Sequence, residues 1–164
     1  MALTVQDQQA IVAAHNAYRS DPAINTPALQ WDSTLATGAQ SWADNLATTV
    51  HDLKHSDPST RQGLGENIAM GSKGNYTPAQ MVDFWGKTVI SGSSEQGNFK
   101  PGTFSTASPS PVSKTGDWSD VGHYTQVIWR TTTSVGCGVA SDGTNDYMVC
   151  RYSPAGNMEG VQVP

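Results

Sequence analysis

Leu35, Ala39, Trp42, Leu46 and Val50 recur at helical spacing, with Ala36 and Ala43 beside them. That period describes a helix with one apolar stripe. A stripe this long needs another layer of the same molecule to cover it, so the chain is expected to fold in layers. Asp32 or Ser33 stands where the helix would be capped. A first helix is expected from a Thr4 cap through Arg19, stopped by Asp21-Pro22. A third opens at Thr77-Pro78 and runs through about residue 90, burying Met81, Val82, Trp85 and Val89. Strands are expected at residues 67–70, 134–140 and 147–152, the last two joined by a turn at residues 142–146. Helices and short antiparallel strands in irregular order indicate an α+β fold with helices packed on a small sheet.

Composition narrows the partners. The chain has 164 residues, one domain's worth (1–164), with nine Lys plus Arg against fourteen Asp plus Glu, a net charge of −5 and only 14% charged residues. No segment clusters Lys or Arg, so nucleic acid is not an expected partner. No apolar run approaches a membrane span, and the first residues lack the basic start and apolar core of a signal peptide. Residues 91–120 are rich in Gly, Ser, Thr, Pro and Lys and read as a long loop, functional or mobile.

The residues that carry chemistry are dispersed. No zinc-protease helix, nucleophile elbow or phosphate-binding loop is present. His51 and His55, four apart, would share a helix face, but Asp57-Pro58 argues that the helix has ended. His55-Ser56, Gly65-Glu66-Asn67 and Gly122-His123-Tyr124 each set a titratable side chain beside a small or turn-forming residue. Imidazoles suit zinc or copper, and a carboxylate can hold a ligand's second nitrogen. Satisfied structural histidines remain the alternative. Cys137 and Cys150 are either buried thiols or a disulfide across two strands.

Gly122-His123-Tyr124-Thr125-Gln126-Val127-Ile128-Trp129 resembles the first signature of the CAP superfamily, the cysteine-rich secretory, antigen 5 and pathogenesis-related 1 proteins. Residues 147–158, Tyr147-Met148-Val149-Cys150-Arg151-Tyr152-Ser153-Pro154-Ala155-Gly156-Asn157-Met158, resemble the second. His15-Asn16 with Arg19, residues 27–31, Ala39-Gln40 with Trp42-Ala43, His55-Ser56, residues 65–68 and Val135-Gly136-Cys137 follow in family order, so the likeness spans about residues 9–160.

The resemblance implies a three-layer α-β-α sandwich with a mainly antiparallel central sheet, and a cleft holding two histidines and two glutamates. His55 and His123 match the histidines and Glu66 the first glutamate. Thr88 occupies the second glutamate's place; Glu95 reaches the cleft only if the following loop folds back. With one glutamate left, a two-carboxylate acid/base scheme cannot be built from that set. Two imidazoles form an under-filled site for a weak, exchangeable divalent cation, zinc first. Ser56, Tyr124 and Gln126 would support the cleft. Trp42, Trp85 and Trp129 would be core, and His15, Asn16 and Arg19 would tie the first helix to neighbouring backbone, Arg19 through an unidentified acidic partner.

Cys137 and Cys150 match the family's strand-to-strand disulfide, which implies an extracellular or periplasmic setting. Plant relatives carry further cysteines where His51 and Val121 stand here, so that bridge is absent. Asn75-Tyr76-Thr77 is a glycosylation sequon if the source is a eukaryote.

The resemblance implies a secreted monomeric binding module for a lipid, sterol or fatty acid, with the cation cleft as a second site and Phe99, Phe104 and Trp118 available to line a lipid pocket. The alternatives are a metal-dependent hydrolase using His55, His123 and Glu66 as general base, or an extracellular protein-interaction module presenting the long loop.

Overall fold

The computed structural model describes residues 2–90 and 92–164. The chain begins with α1 (Val5–Arg19), in which Thr4 and Asp7 cap each other's backbone at the helix start. It passes through β1 (Gln30–Trp31) into α2 (Ser33–Asn45), which continues as one wider π turn, Leu46–Val50. Asp32 is the cap, accepting from the amides of Thr34 and Leu35. β2 (Gly65–Ser72) is twice as long as expected. The expected third helix is two short ones, α3 (Pro78–Val82) and α4 (Phe84–Lys87), followed by β3 (Val89–Ile90).

Residues 92–120 are not a bare loop. They hold β4 (Ser93–Ser94), α5 (Glu95–Asn98), β5 (Gly102–Thr103) and a 3-10 turn, Trp118–Asp120. α6 (Gly122–Val127), β6 (Ser134–Ser141), β7 (Asn145–Ser153) and β8 (Gln162–Val163) complete the chain. No helix among the described residues is long and apolar enough to cross a membrane.

The central sheet runs β1-β6-β7-β2. β6, β7 and β2 are antiparallel, while β1 joins β6 in parallel, so the sheet is mixed. Alternation along the strands divides the interior in two. Tyr147 and Val149 face α2 with Ala140 and Ile68, in one apolar cluster. Met148, Cys150 and Tyr152 face the opposite layer with Val135, Cys137 and Val139, in a larger cluster that includes Ile11, Trp85 and Trp129. Helices therefore cover both faces, giving the three-layer sandwich. α2 sits close on β6 because Gly136 and Gly138 face it: a Cβ at either position would overlap helix backbone at Asp32, Ala36 or Gln40.

Cys137 and Cys150 lie directly opposite each other in the β6–β7 register and form a disulfide. Trp85 and Trp129 are core residues. Trp42 is only partly buried against the α2 cluster, its indole N–H donating to the Lys54 carbonyl at 2.9 Å.

Arg19 corrects an expectation. Among the described residues it has no carboxylate partner; its guanidinium donates to four backbone carbonyls. These are Pro27 at 2.6 Å, Val127 at 3.0 Å, Trp129 at 2.8 Å and Thr132 at 3.0 Å. Pro27 lies in the irregular segment after α1, Val127 is the last residue of α6, and Trp129 and Thr132 follow it, so these backbone acceptors have no helix or ladder partner to join. Asn16 does similar work for the edge of β1, its amide bonding both the N–H and the C=O of Leu29. His15 is wholly buried, accepting from Tyr152 Oη on Nε2 while Nδ1–H donates to Ile11 O. Burial pushes its imidazole down to about 4, so it stays neutral in this chain of bonds.

Replacing Arg19 with Met would strand four buried acceptors and is expected to cost about 3 kcal/mol or more in urea unfolding. Arg19→Lys would recover only part of that, because one ammonium cannot span acceptors that a planar fork reaches. A loss below about 1 kcal/mol for Arg19→Met would show that the carbonyls are satisfied otherwise.

Candidate functional site

His55 lies on the irregular segment between the π turn and β2, and His123 in the first turn of α6. They line one open cleft of about 510 Å³ together with Glu66, Arg61, Phe104 and Trp118. The resemblance implies one cleft for the two imidazoles, and both residues line this one.

Each ring is held from behind by a buried carboxylate. Glu66 Oε1 lies 2.9 Å from His55 Nδ1, and Glu95 Oε2 lies 2.9 Å from His123 Nδ1. A carboxylate only accepts, so each Nδ1 carries the proton; in the neutral ring this leaves the lone pair on Nε2. Nε2 of neither ring has a hydrogen bond among the described residues, and the two side chains are 49% and 37% exposed.

Glu95 overturns the expectation built on Thr88. Thr88 is exposed, ends α4 and does not line the cleft. The β3–β4 pairing turns the chain back on itself, Ser94 caps α5, and Glu95 enters the interior with no exposed surface. There it also accepts from the backbone N–H of His123 at 3.0 Å and of Tyr124 at 3.4 Å. Two carboxylates, not one, support the cleft.

Glu66 is saturated with donors. Besides His55 it accepts from Ser56 N at 2.9 Å, Ser56 Oγ at 2.6 Å and Arg151 Nε at 3.4 Å. Burial on its own would push this carboxyl up, but the bonds from His55 and Ser56, with Arg61 nearby, hold it down at about 2.

Ser56 is buried and serves Glu66 rather than the cleft wall. Tyr124 is also buried, packing edge-on against Tyr18 and Phe99, and its hydroxyl is pushed up to about 12 by burial. Gln126 does line the cleft, accepting from Gly156 N at 2.9 Å and donating to Thr132 Oγ1 at 3.2 Å.

His51 takes the left-handed conformation that ends the π turn and sits 3.5 Å from Asp142 Oδ2, so it does not share a helix face with His55. Val121 is core. Of the three loop aromatics, Phe99 is buried against Tyr124, while Phe104 and Trp118 pack edge to face and both reach the cleft.

Two supports were missed from sequence. Asn67 donates to the His123 carbonyl at 3.1 Å, and Arg151 stands opposite Glu66 in the β2–β7 register. Both residues sit inside the quoted motifs, but their roles depend on a strand register that spacing does not reveal.

The depressed Glu66 carboxyl stabilises the fold above the ordinary carboxylate range, and that contribution is lost as pH falls from about 4.5 through about 2. Glu66→Gln is expected to flatten urea-unfolding stability over that window by about 3 kcal/mol relative to wild type. Parallel acid profiles for the two proteins would contradict the geometry.

Comparison with known proteins places this arrangement. Residues 12–152 match the model of the cysteine-rich secretory protein family, CAP. Venom allergen 3 of Solenopsis invicta is 32% identical, over 99% of this chain and 74% of its own. A pathogenesis-related protein of PR-1 type from Sambucus nigra is 34% identical, over 93% and 78%. Human cysteine-rich secretory protein 2 is 36% identical over 93% of this chain, which spans only 58% of that relative's length. Among solved structures, that titled "Crystal structure of NaASP2 with Zn2+" superposes with a TM-score of 0.75 at 26% identity, covering 98% of this chain and 86% of that one. The chain belongs to the cysteine-rich secretory protein family of the CAP superfamily.

Proposed function

We propose that this chain is a secreted binding module whose cleft holds an exchangeable divalent cation, zinc first, on Nε2 of His55 and His123. The observation that carries the reading is the pairing of both Nδ1 atoms with buried carboxylates at 2.9 Å. That pairing fixes tautomer and ring orientation and raises ligand basicity, as the outer partners of metal-bound histidines do. No cluster of three or more His, Cys, Asp or Glu converges as a ligand set among the described residues. The protein's share is therefore two imidazoles, with water or ligand completing the coordination, which fits modest affinity. A solved relative is described with Zn2+, and imidazole suits that ion. A cation held there would supply an anchoring positive charge beside an apolar wall of Leu64, Phe104 and Trp118. A sterol or fatty-acyl body has that wall to lie against. The disulfide and the secreted classes named among the relatives support an oxidising, extracellular setting.

The hydrolase alternative has less support. Glu66 spends both oxygens on four donors and is held near 2, so it is not free to take a proton near neutral pH, while Glu95 is wholly buried behind His123 and does not line the cleft. The interaction-module alternative rested on a long free loop, much of which is folded onto the body through α5, β5 and Trp118.

Zinc at about a hundredfold excess over its Kd is expected to raise the melting temperature of the wild type by about 5 °C or more. The His55→Ala/His123→Ala variant should show no such rise. Equal shifts in the two proteins, read by calorimetry, would sink the assignment.

A further inference from the structure

The cleft holds many polar groups, yet nearly all are spent within the protein. Both ends of the Gln126 and Asn157 amides are bonded, the latter to Thr125 and Gly122. The Asn67 NH2 donates to His123 O and Tyr152 Oη. The hydroxyls follow the same pattern, Thr106 donating to Glu159 and Ser119 to Asp117.

Arg61 differs. It is the cationic side chain other than histidine among the described residues lining the cleft. Its guanidinium has five N–H donors. Two of them make only long bonds, Nε to Ser56 O at 3.4 Å and Nη1 to Leu64 O at 3.5 Å. Its contact with Glu66, 3.7 Å from Nε, is beyond hydrogen-bond length, and Glu66 is already filled by four closer donors. With 19% of the side chain exposed, the cation is partly desolvated while most of its donors remain unspent. A positive fork held in that way is suited to a planar oxyanion.

From this geometry we propose that the cleft recognises an organic carboxylate, its headgroup on the outward N–H groups of Arg61 and its apolar body against Leu64, Trp118 and Phe104. This deepens the binding-cleft reading and rests on it, but it does not depend on the cation. Glu66 selects among anions. A carboxylate brings one negative charge toward it, whereas a phosphate monoester brings about −1.5 to −2 and is repelled more strongly. Neutral molecules with the same body leave the guanidinium unpaired.

The test is isothermal titration calorimetry of the whole chain in EDTA with naphthylacetate, naphthylethanol and naphthyl phosphate, beside the zinc melting experiment on the same preparation. Naphthylacetate is expected to bind about tenfold or more tighter than the alcohol, with a preference that shrinks as salt rises. It should also bind more tightly than the phosphate. Arg61→Gln should abolish the preference over the alcohol and Arg61→Lys should keep a reduced one, each variant checked for an unchanged near-UV circular dichroism spectrum.

Equal affinity for acid and alcohol, a phosphate preference, or an undiminished carboxylate preference in folded Arg61→Gln would each overturn the proposal. A missing zinc shift with the carboxylate preference intact would sink the cation reading alone. A zinc shift without that preference would sink this inference alone.

Discussion

Glu66 and Asn67 are neighbours in one strand, and strand alternation sends their side chains to opposite faces of the sheet. On the α2 face, Glu66 meets Arg151 across the ladder and reaches out to His55. On the other face, Asn67 meets Tyr152 and holds the His123 carbonyl. A single dipeptide of β2 therefore supports both sides of the cleft. Slipping β2 by one residue against β7 would exchange the two faces and release both histidine segments together. On the other side of β7, the β6–β7 ladder sets Cys137 against Cys150, and the disulfide joins those two strands.

The buried carboxylates work on the protein before they work on any ligand. Glu95 collects one ring nitrogen and two backbone amides at the start of α6, and Glu66 collects a ring, a hydroxyl, an amide and a guanidinium. Burying such charges is tolerable because nearly every lone pair is answered. What remains outward is the pair of Nε2 atoms and the spare donors of Arg61, set against an apolar wall. Chemistry in this cleft is thus confined to a few groups, with the rest of its polar lining serving as scaffold.

Sequence reading went furthest where the signal was local. Asp32 and Thr4 cap the helices as their positions suggested, and the α2 stripe faces the sheet. It fell short where one element hands over to another. The expected third helix breaks at Asp83, which accepts from Tyr18 Oη at 2.5 Å and pairs with Lys87. The segment from 92 to 120, read as loop from its Gly, Ser and Pro content, is organised by partners far away in sequence. Phe104 packs on Trp129 and donates its backbone N–H to the Val161 carbonyl, and β5 pairs with β8 at the far end of the chain.

The sequence by itself determined the family, the layered fold, both histidines, the first glutamate and the disulfide pair, because those residues sit in contiguous motifs whose order is preserved. Only the tertiary structure decided the second glutamate. Glu95 is 28 positions before His123, and no periodicity links them; a short hairpin brings the carboxylate home. Arg19 and Arg61 belong to the same class. A guanidinium's partners are chosen by which carbonyls, carboxylates or empty space the finished fold leaves within reach, and a linear string of residues carries no record of that.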